Sequence, residues 1–257
     1  MNTRRPTVDV IDTGLAGGVH NAAMDRGGLE LRAQGRGRDV LRFFRSHPAA
    51  SIGRHQALDR ELRLDYCHRH GIEIVRRPTS GGALYLDSGQ LGFSLVIRQP
   101  ATWRGLAFPR MLDRTCTAVA AALRQLGIAA TSKAPNDVEA GGRKIASVFA
   151  TRCGDAWLLQ GSVLLDADIA TMLKVLRVPT EKLSPGGMAA ARERLTSIHA
   201  LCADRPSLTD IQAALVNGIA VEFGLEPSSY GVTTFPVPPS PGQLAAERLL
   251  ADRKSVV

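Results

Sequence analysis

Residues 72–97 read IEIVRRPTSGGALYLDSGQLGFSLVI, and this stretch decides the fold. Three short apolar runs predict three strands, at 72–75, 83–86 and 91–97. A turn signal, DSG, separates the last two, and a basic glycine loop, RRPTSGG, joins the first two. Arginine forks beside a glycine backbone suit a carboxylate or a phosphate, because both present hydrogen-bond donors to an anion at close range. A hairpin with a glycine turn and solvated arginines is the simpler alternative.

A second stretch, residues 136–166, reads NDVEAGGRKIASVFATRCGDAWLLQGSVLLD. It predicts three more strands, with glycine turns at 141–142 and 154–155. Lys144 follows the first of these turns and lies at the start of the middle strand. A lysine in this place is either a solvated turn residue or a cation directed at a ligand.

Together the two stretches resemble the lipoate–protein ligase family. The family has an arginine pair with a glycine loop, an N-D pair, a G-[RK]-K strand start and a later G-[ST]. Here these motifs are RRPTSGGALYLD, ND, GRKIASVF and QGSVLL, in the family's order. Three shorter matches precede or flank them: NAAMD at 21–25, LRF at 41–43 and SIGRHQ at 51–56. Seven motifs in order, spread over roughly residues 8–225, outweigh the simpler hairpin interpretation.

The resemblance implies an α+β fold, in which helices flank a larger mixed sheet and a smaller sheet. This is the biotin/lipoate ligase-like catalytic domain, and we expect it over residues 1–226. Residues 227–257 are predicted to form a proline-rich tail with one short helix. The ligand pocket is expected between the two stretches.

The implied reaction is ATP-dependent activation of lipoate to lipoyl-AMP, followed by transfer to a lysine of an acceptor lipoyl-domain protein. Its cofactors would be ATP and Mg²⁺, with lipoate as the substrate. Lys144 is the expected catalytic residue, because the family's lysine falls on it and a compact ammonium can contact a carbonyl and a phosphate oxygen together. Asp137 is the expected Mg²⁺ ligand, together with substrate phosphates. An Asx turn is the structural alternative for Asn136 and Asp137.

The expected lipoate and AMP site draws on both stretches. Its members are Arg76, Arg77, Ser80, Gly81, Gly82, Ala83, Tyr85, Asn136, Lys144, Gly161 and Ser162. Four positions depart from the family pattern: Ser80 and Ser147 replace glycines, and Leu86 and Gln160 replace frequent histidines. These departures bear on acyl specificity more than on the shared chemistry.

Two alternatives stay open. Octanoyltransferases of the same fold move an acyl group through a cysteine thioester, which needs an activated thiolate near the lysine. Neither family position for that cysteine holds one here, near residues 131–133 or near residue 178, but Cys153 lies nine residues beyond Lys144. A non-catalytic lipoate-binding subunit is the other alternative.

Long family members also carry an accessory domain of roughly a hundred residues. Because 34 residues follow Phe223, we expect a catalytic domain alone or one that needs an accessory subunit.

The composition fits an ordinary globular protein, with 44% hydrophobic and 22% charged residues in 257. The net charge of +8 could suit nucleic acid, but the arginines are scattered and aromatic residues make up only 5%. We therefore expect an acidic protein substrate or a nucleotide as the partner, and no nucleic acid.

The four cysteines are widely spaced and do not show the spacing of zinc ligands. The opening segment MNTRRPTVDVID has no apolar run behind its basic residues and no stretch is long enough for a span, so we expect a cytoplasmic protein without membrane contact.

Overall fold

An eight-stranded mixed sheet and a separate three-stranded sheet form the framework of the protein. The computed structural model describes residues 5–99, 103, 105–166, 168–177, 189–190, 192–228, 239–240 and 243–244. The helix predicted in the proline-rich tail falls largely outside these residues. The two-sheet α+β architecture that the sequence analysis expected is confirmed.

The strands are β1 (Thr7–Ala16), β2 (Val40–Ser46), β3 (Ala49–Ile52), β4 (Glu73–Arg76), β5 (Leu84–Leu86), β6 (Gln90–Arg98), β7 (Ala130–Lys133), β8 (Asp137–Ala140), β9 (Arg143–Cys153), β10 (Ala156–Leu164) and β11 (Glu226–Pro227). The helices are α1 (Gly18–Ala33), α2 (Leu58–Glu61), α3 (Leu64–Arg69), α4 (Phe108–Gln125), α5 (Ile169–Val175), α6 (Ile198–Leu201) and α7 (Leu208–Phe223). The large sheet has the order β11-β1-β2-β6-β10-β9-β8-β7, and the small sheet has the order β4-β3-β5.

The two faces of the large sheet differ in character because side chains alternate along each strand. On β10, Trp157, Leu159 and Val163 belong to the main hydrophobic core, which also contains the buried residues of α4 and α7. Gln160 and Ser162 point to the opposite face, where Leu158 packs against Leu29 of α1 and a cavity opens beside the helix. One face therefore carries the main core, and the other carries α1 and room for a site.

Helix α4 shows why the core lies where it does. Cys116, Val119 and Leu123 recur at three- and four-residue spacing, Met111 lies on the same stripe one turn earlier, and all four are buried. The helix packs against α7 at a close crossing, where a Cβ on Gly218 would lie 2.4 Å from the carbonyl oxygen of Ala118. Burial of this apolar stripe fixes α4 on the core face of the sheet.

The stretch 72–97 forms its three predicted strands, but their pairing differs from a hairpin. Strand β3 lies between β4 and β5, pairing in parallel with the former and antiparallel with the latter. Strand β6 belongs to the large sheet, between β2 and β10. The hairpin alternative is therefore wrong, and the turn at 87–89 carries the chain from the small sheet to the large one.

The stretch 136–166 forms the three strands predicted for it. Strands β8, β9 and β10 are consecutive antiparallel neighbours in the large sheet. Gly141 and Gly142 make the first turn with φ of +57° and +71°, and Gly154 makes the second with φ of +57°. Among the residues described above, no helix has both the length and the apolar character required to cross a bilayer.

Candidate active site

Two adjoining cavities lie on the face of the large sheet opposite the main hydrophobic core. The first, which we call the α1 cavity, has about 570 Å³ of empty volume. Its walls include Asn21 and Asp25 of α1, Phe44 of β2, Phe149 of β9 and Gln160 of β10. The small sheet closes another side, so both sheets and α1 contribute to it.

The second cavity, which we call the Lys144 cavity, has about 470 Å³ of empty volume. Its lining includes Lys144, Ala83, Tyr85, Ser147, Met172 and Leu195. Leu84, Gln90 and Ser162 line both cavities. Ser162 Oγ donates to Gln90 Oε1 at 2.8 Å, and Gln90 Nε2 donates to the carbonyl of Tyr85 at 2.9 Å. The two cavities therefore share one hydrogen-bonded wall.

The predicted site residues divide between these cavities and their surroundings. Arg77, Gly161 and Ser162 line the α1 cavity, and Ala83, Tyr85, Lys144 and Ser162 line the Lys144 cavity. The remaining predicted residues do not contribute to either lining: Arg76, Ser80, Gly81, Gly82, Asn136 and Asp137.

Lys144 is held at the start of β9 by a bulge in the strand and by backbone hydrogen bonds to residues 194 and 196. Glu139 pairs with Lys144 and Val138 with Ala146, so Ile145 is an extra residue between them. Such bulges redirect side chains next to a strand end. The Lys144 amide donates to the carbonyl of Arg194, and its own carbonyl accepts from Thr196, each at 2.9 Å. The backbone of Lys144 is thus fixed on both sides.

The Lys144 side chain pairs with the predicted metal ligand. Its Nζ lies 2.9 Å from Oδ1 of Asp137, and the two side chains are 35% and 29% exposed. The ammonium is therefore oriented while it stays accessible from the cavity that it lines. The described residues contain no group of three or more histidine, cysteine or acidic side chains suited to a metal. A single carboxylate nevertheless fits the usual Mg²⁺ mode, in which substrate phosphates and water supply the other ligands.

Asn136, next to Asp137, forms hydrogen bonds with β9 of the large sheet. Its side-chain Nδ2 donates to the carbonyl of Val148 at 2.9 Å, and its own carbonyl accepts from the amide of Val148 at 2.8 Å. Asn136 thus holds the entry of β8 against β9. Its amide therefore donates within the chain, and its place in the expected lipoate and AMP site stays a prediction.

The two arginines of the glycine loop face the chain's own carbonyls. Arg76 Nη1 donates to the carbonyls of Gly53, Arg54 and Gln56 at 2.7–3.2 Å. Both arginines are buried, with relative exposures of 3% and 5%. Both guanidinium groups thus bind backbone carbonyls, and their contact with a carboxylate or a phosphate stays a prediction.

Arg77 organises the glycine loop from inside. Its Nη2 donates to the carbonyls of Ser80 and Gly82 at 2.9 and 2.7 Å, and its Nη1 donates to the carbonyl of Ser51 at 3.2 Å. The guanidinium also lies 4.1 Å from the ring centroid of Phe149. Burial lowers the pKa of Arg77 to about 9, so the guanidinium is still charged at neutral pH.

Glycine is required at two of the predicted positions for steric reasons. Gly81 has φ of +97°, and a Cβ there would lie 2.5 Å from Cδ1 of Phe149. A Cβ on Gly161 would lie 2.1 Å from Cε1 of Phe93, its partner on β6. Gly161 therefore makes room for a core ring under the site, and Gly81 lets the loop approach Phe149.

Tyr85 and the cysteines have pKa values that limit their chemistry. Burial, with Asp87 as the next cause, raises the pKa of Tyr85 to about 12, so its phenol is neutral at neutral pH. Burial, followed by the charge of Asp137, raises the pKa of Cys116 to about 12. Burial also raises the pKa of Cys67. These two thiols are protonated at neutral pH and hence poor nucleophiles.

A buried polar network beside the α1 cavity was not predicted from the sequence. Arg42 Nη2 donates to Asp25 Oδ1 at 2.6 Å, and Asp25 also accepts from the amide of Gln160. Arg42 Nη1 donates to Asn21 Oδ1 at 3.0 Å. The motif NAAMD contained two of these residues, but nothing in the sequence joined them to an arginine on β2.

The chain matches a known protein family over most of its length. The model of the family described as "Lipoyl protein ligase A/B catalytic domain" matches residues 18–220. The Bacillus subtilis lipoate-protein ligase LplJ is 30% identical over 181 residues, which are 70% of this chain and 53% of that protein. The chain therefore spans about half the length of that relative. The Moorella thermoacetica octanoyltransferase LipM is 31% identical over 208 residues, which are 72% of each protein.

Solved structures agree with this match. The bi-partite lipoate protein ligase of Thermoplasma acidophilum, studied with its E2 lipoyl domain, has a TM-score of 0.75 at 26% identity. The alignment covers 97% of this chain and 93% of that one. A lipoate-protein ligase A bound with ATP shares the fold, with a TM-score of 0.72 at 24% identity over 98% and 96% of the two chains. Because the family model matches residues 18–220, the chain belongs to the lipoyl protein ligase A/B catalytic domain family.

Proposed function

We propose that the chain is a lipoate–protein ligase that activates lipoate with ATP and transfers the lipoyl group to a lysine of an acceptor lipoyl-domain protein. One observation carries the proposal. An oriented ammonium, that of Lys144, lines a cavity that shares a wall with a second, largely apolar cavity. This arrangement suits a substrate with an apolar chain at one end and a reacting carboxylate at the other.

The α1 cavity suits the apolar chain. The polar side chains in its wall bond to one another: Asp25 accepts from Gln160, and Ser162 donates to Gln90. A charged substrate group there would compete with these bonds and pay for its own desolvation. Ala22, Phe44, Val75 and Phe149 contribute carbon surface.

The Lys144 cavity suits the reacting end. In the first step a carboxylate oxygen of lipoate attacks the α-phosphorus of ATP, and the bond to the departing pyrophosphate breaks. In the second step the amine of the acceptor lysine attacks the acyl carbon, the bond to AMP breaks, and the amine loses a proton. Negative charge develops on carbonyl and phosphate oxygens in both steps, and the positioned ammonium of Lys144 stabilises it. Asp137 orients that ammonium through the contact of 2.9 Å.

Asp137 is also the proposed Mg²⁺ ligand, with substrate phosphates completing the coordination. When bound, Mg²⁺ would neutralise phosphate charge. Asp137 can serve both the ammonium and a cation because a carboxylate has two oxygens, and Lys144 contacts one of them.

The placement of the cysteines supports a ligase over a thioester-forming transferase. Cys153 is exposed but lies nine residues from Lys144 along β9, which is roughly 30 Å in an extended strand. Cys116 is buried in α4 with its pKa raised to about 12, and Cys67 is buried in the small-sheet cluster. Cys202 donates its thiol to the carbonyl of Leu126. An activated thiolate beside Lys144 is thus missing from the part of the chain that the structure describes.

Octanoyl transfer is the second candidate, and the similarity to LipM favours it. It would require an activated thiolate, whereas Cys116, whose pKa responds to burial and to the charges of Asp137 and Lys144, has that pKa raised to about 12. We therefore rank it below the ligase.

The proposed partners are the acceptor lipoyl domain and a separate accessory subunit. Similarity to one chain of a bi-partite Thermoplasma ligase supports both, because that protein was studied with its E2 lipoyl domain. We propose the cytoplasm as the location, because the reaction consumes ATP.

The test supplies the purified chain with an acceptor lipoyl domain in three parallel reactions. They contain lipoate with MgATP, lipoyl-AMP alone, or an octanoyl carrier protein without ATP. Mass spectrometry then measures the mass added to the acceptor in each reaction. Modification in the first reaction supports the complete ligase. Modification from lipoyl-AMP alone supports transfer and assigns adenylation to a partner. Modification from the carrier protein, with a thioester on a cysteine, would replace the proposal with the transferase.

A further inference from the structure

Gln160 connects two parts of the site that are far apart in sequence. It lies on β10, is 8% exposed and lines the α1 cavity. Its Nε2 donates to Oδ2 of Asp25 on α1, and its Oε1 accepts from the hydroxyl of Thr79 at 2.6 Å. One end of the amide thus bonds to α1 and the other to the segment that leads into the glycine loop.

On the loop side, the connection continues through Thr79 to Arg77. Arg77 Nε donates to the Thr79 hydroxyl at 3.1 Å. The same guanidinium donates to the carbonyls of Ser80 and Gly82. Thr79 has 0% exposure, so bulk water does not compete for its hydroxyl. The loop carbonyls are therefore oriented by a series of bonds that begins at Gln160.

On the helix side, the connection ends in a buried ion pair. Asp25 and Arg42 are each 1% exposed, and their 2.6 Å contact is a charge-assisted hydrogen bond. Breaking a buried pair of this kind leaves an uncompensated charge, so its geometry is strongly held. Asp25 is thus a fixed anchor for the amide of Gln160.

The direction of the hydrogen bonds explains why an amide suits this position. Thr79 donates its hydroxyl hydrogen to Oε1 of Gln160, because the amide nitrogen of Gln160 is directed at Asp25. Asp25 is a carboxylate paired with Arg42 and so must accept. The residue at 160 therefore needs one acceptor and one donor. Glutamine and neutral histidine have both, a carboxylate has only acceptors, and leucine has neither.

We propose that Gln160 is a positioning residue that holds the glycine loop in its observed conformation from the wall of the α1 cavity. It acts through Thr79 and Arg77. The choice of ATP as a probe below rests on the proposed function, whereas the effect on the loop does not. A nucleotide that contacts residues 80–82 would then lose affinity when the connection is cut.

The experiment compares Gln160→Leu, Gln160→His and Thr79→Val with wild type. Thr79→Val cuts the connection without changing the lining of the α1 cavity, which does not include Thr79. Thr115→Val is the matched control, because Thr115 is also buried and its hydroxyl donates to the carbonyl of Met111 in α4, on the core face. Amide exchange of Arg54, which donates to the carbonyl of Thr79, is followed by NMR in the ligand-free protein. ATP–pyrophosphate exchange then gives KM for ATP and kcat, and thermal melting reports folding.

We expect faster Arg54 exchange in Gln160→Leu and Thr79→Val, and a KM for ATP raised about ten-fold with a smaller change in kcat. The double variant should show no further loss, because both changes cut one connection. Gln160→His should restore exchange and KM to near wild type, and Thr115→Val should leave both unchanged even if its melting temperature falls. Unchanged Arg54 exchange in folded Gln160→Leu and Thr79→Val would overturn the inference. If wild type shows no pyrophosphate exchange, the ATP-dependent reaction fails, and Arg54 exchange still decides the role of Gln160.

Discussion

Lys144 Nζ lies 2.9 Å from Asp137 Oδ1, across two adjacent antiparallel strands. The bulge at Ile145 lies between the register of Lys144 with Glu139 and that of Ala146 with Val138. The contact therefore joins the predicted catalytic residue to the predicted metal ligand. The two residues lie in separate sequence motifs, and the fold brings their side chains into contact.

Replacing Asp137 should slow the reaction without unfolding the protein. In Asp137→Asn the ammonium loses its charged partner and Mg²⁺ loses a carboxylate, so we expect a rate lower by about 10²-fold. The side chain is 29% exposed, which limits the cost to stability. The measurement is the Mg²⁺ dependence of ATP–pyrophosphate exchange. A shifted Mg²⁺ midpoint assigns Asp137 to the metal, and a lower rate at the same midpoint assigns it to Lys144. Unchanged rate and midpoint would remove Asp137 from the site.

Gly81 and Gly82 should differ in their tolerance of a methyl group. Gly81→Ala forces a side chain into φ of +97° and against the Phe149 ring, so we expect a loss of about 1–3 kcal/mol in unfolding free energy. Gly82→Ala meets nothing within 4 Å and should stay within about 0.5 kcal/mol of wild type. Denaturant unfolding of the two variants provides the comparison. Equal losses for both would contradict the loop geometry.

Cys153 should be dispensable. It is exposed at the end of β9 farthest from Lys144, so Cys153→Ser should lipoylate the acceptor at nearly the wild-type rate. Alkylation of the native protein at mildly basic pH should reach Cys153 first and spare Cys116, whose thiol stays protonated because its pKa is raised to about 12. Peptide mapping of the alkylated protein and a timed lipoylation assay check both statements. Lost activity in Cys153→Ser, with an acyl thioester on that residue in wild type, would favour the transferase.

The local parts of the fold followed from the sequence, and the non-local parts did not. Alternating apolar runs and glycine turns predicted β8, β9 and β10, which pair with their neighbours along the chain. The insertion of β3 between β4 and β5 was missed, because it pairs strands from distant parts of the sequence. Turn signals describe only adjacent segments.

The site shows the same division. Lys144, Tyr85 and Ser162 were predicted from sequence motifs, and all three line the Lys144 cavity. Arg77 next to glycines suggested an anion, but its partners are backbone carbonyls, which carry no signature in a sequence. The contacts of Gln160 with Asp25 and Thr79 span 135 and 81 residues. Only the folded chain brings these three side chains together.

Lys144→Ala tests the central claim most directly. Lys133→Ala is its matched control, because Lys133 is also an ion-paired lysine, 3.5 Å from Glu139 on the neighbouring strand and 61% exposed. Each variant is melted, and acceptor lipoylation is timed at saturating lipoate and MgATP. We predict that Lys144→Ala melts like wild type but lipoylates about 10² to 10³ times more slowly, because one positioned cation is lost from the transition state. Lys144→Arg should recover only part of the rate, since a planar guanidinium does not replace a point charge. A folded Lys144→Ala that lipoylates as fast as Lys133→Ala would contradict the account.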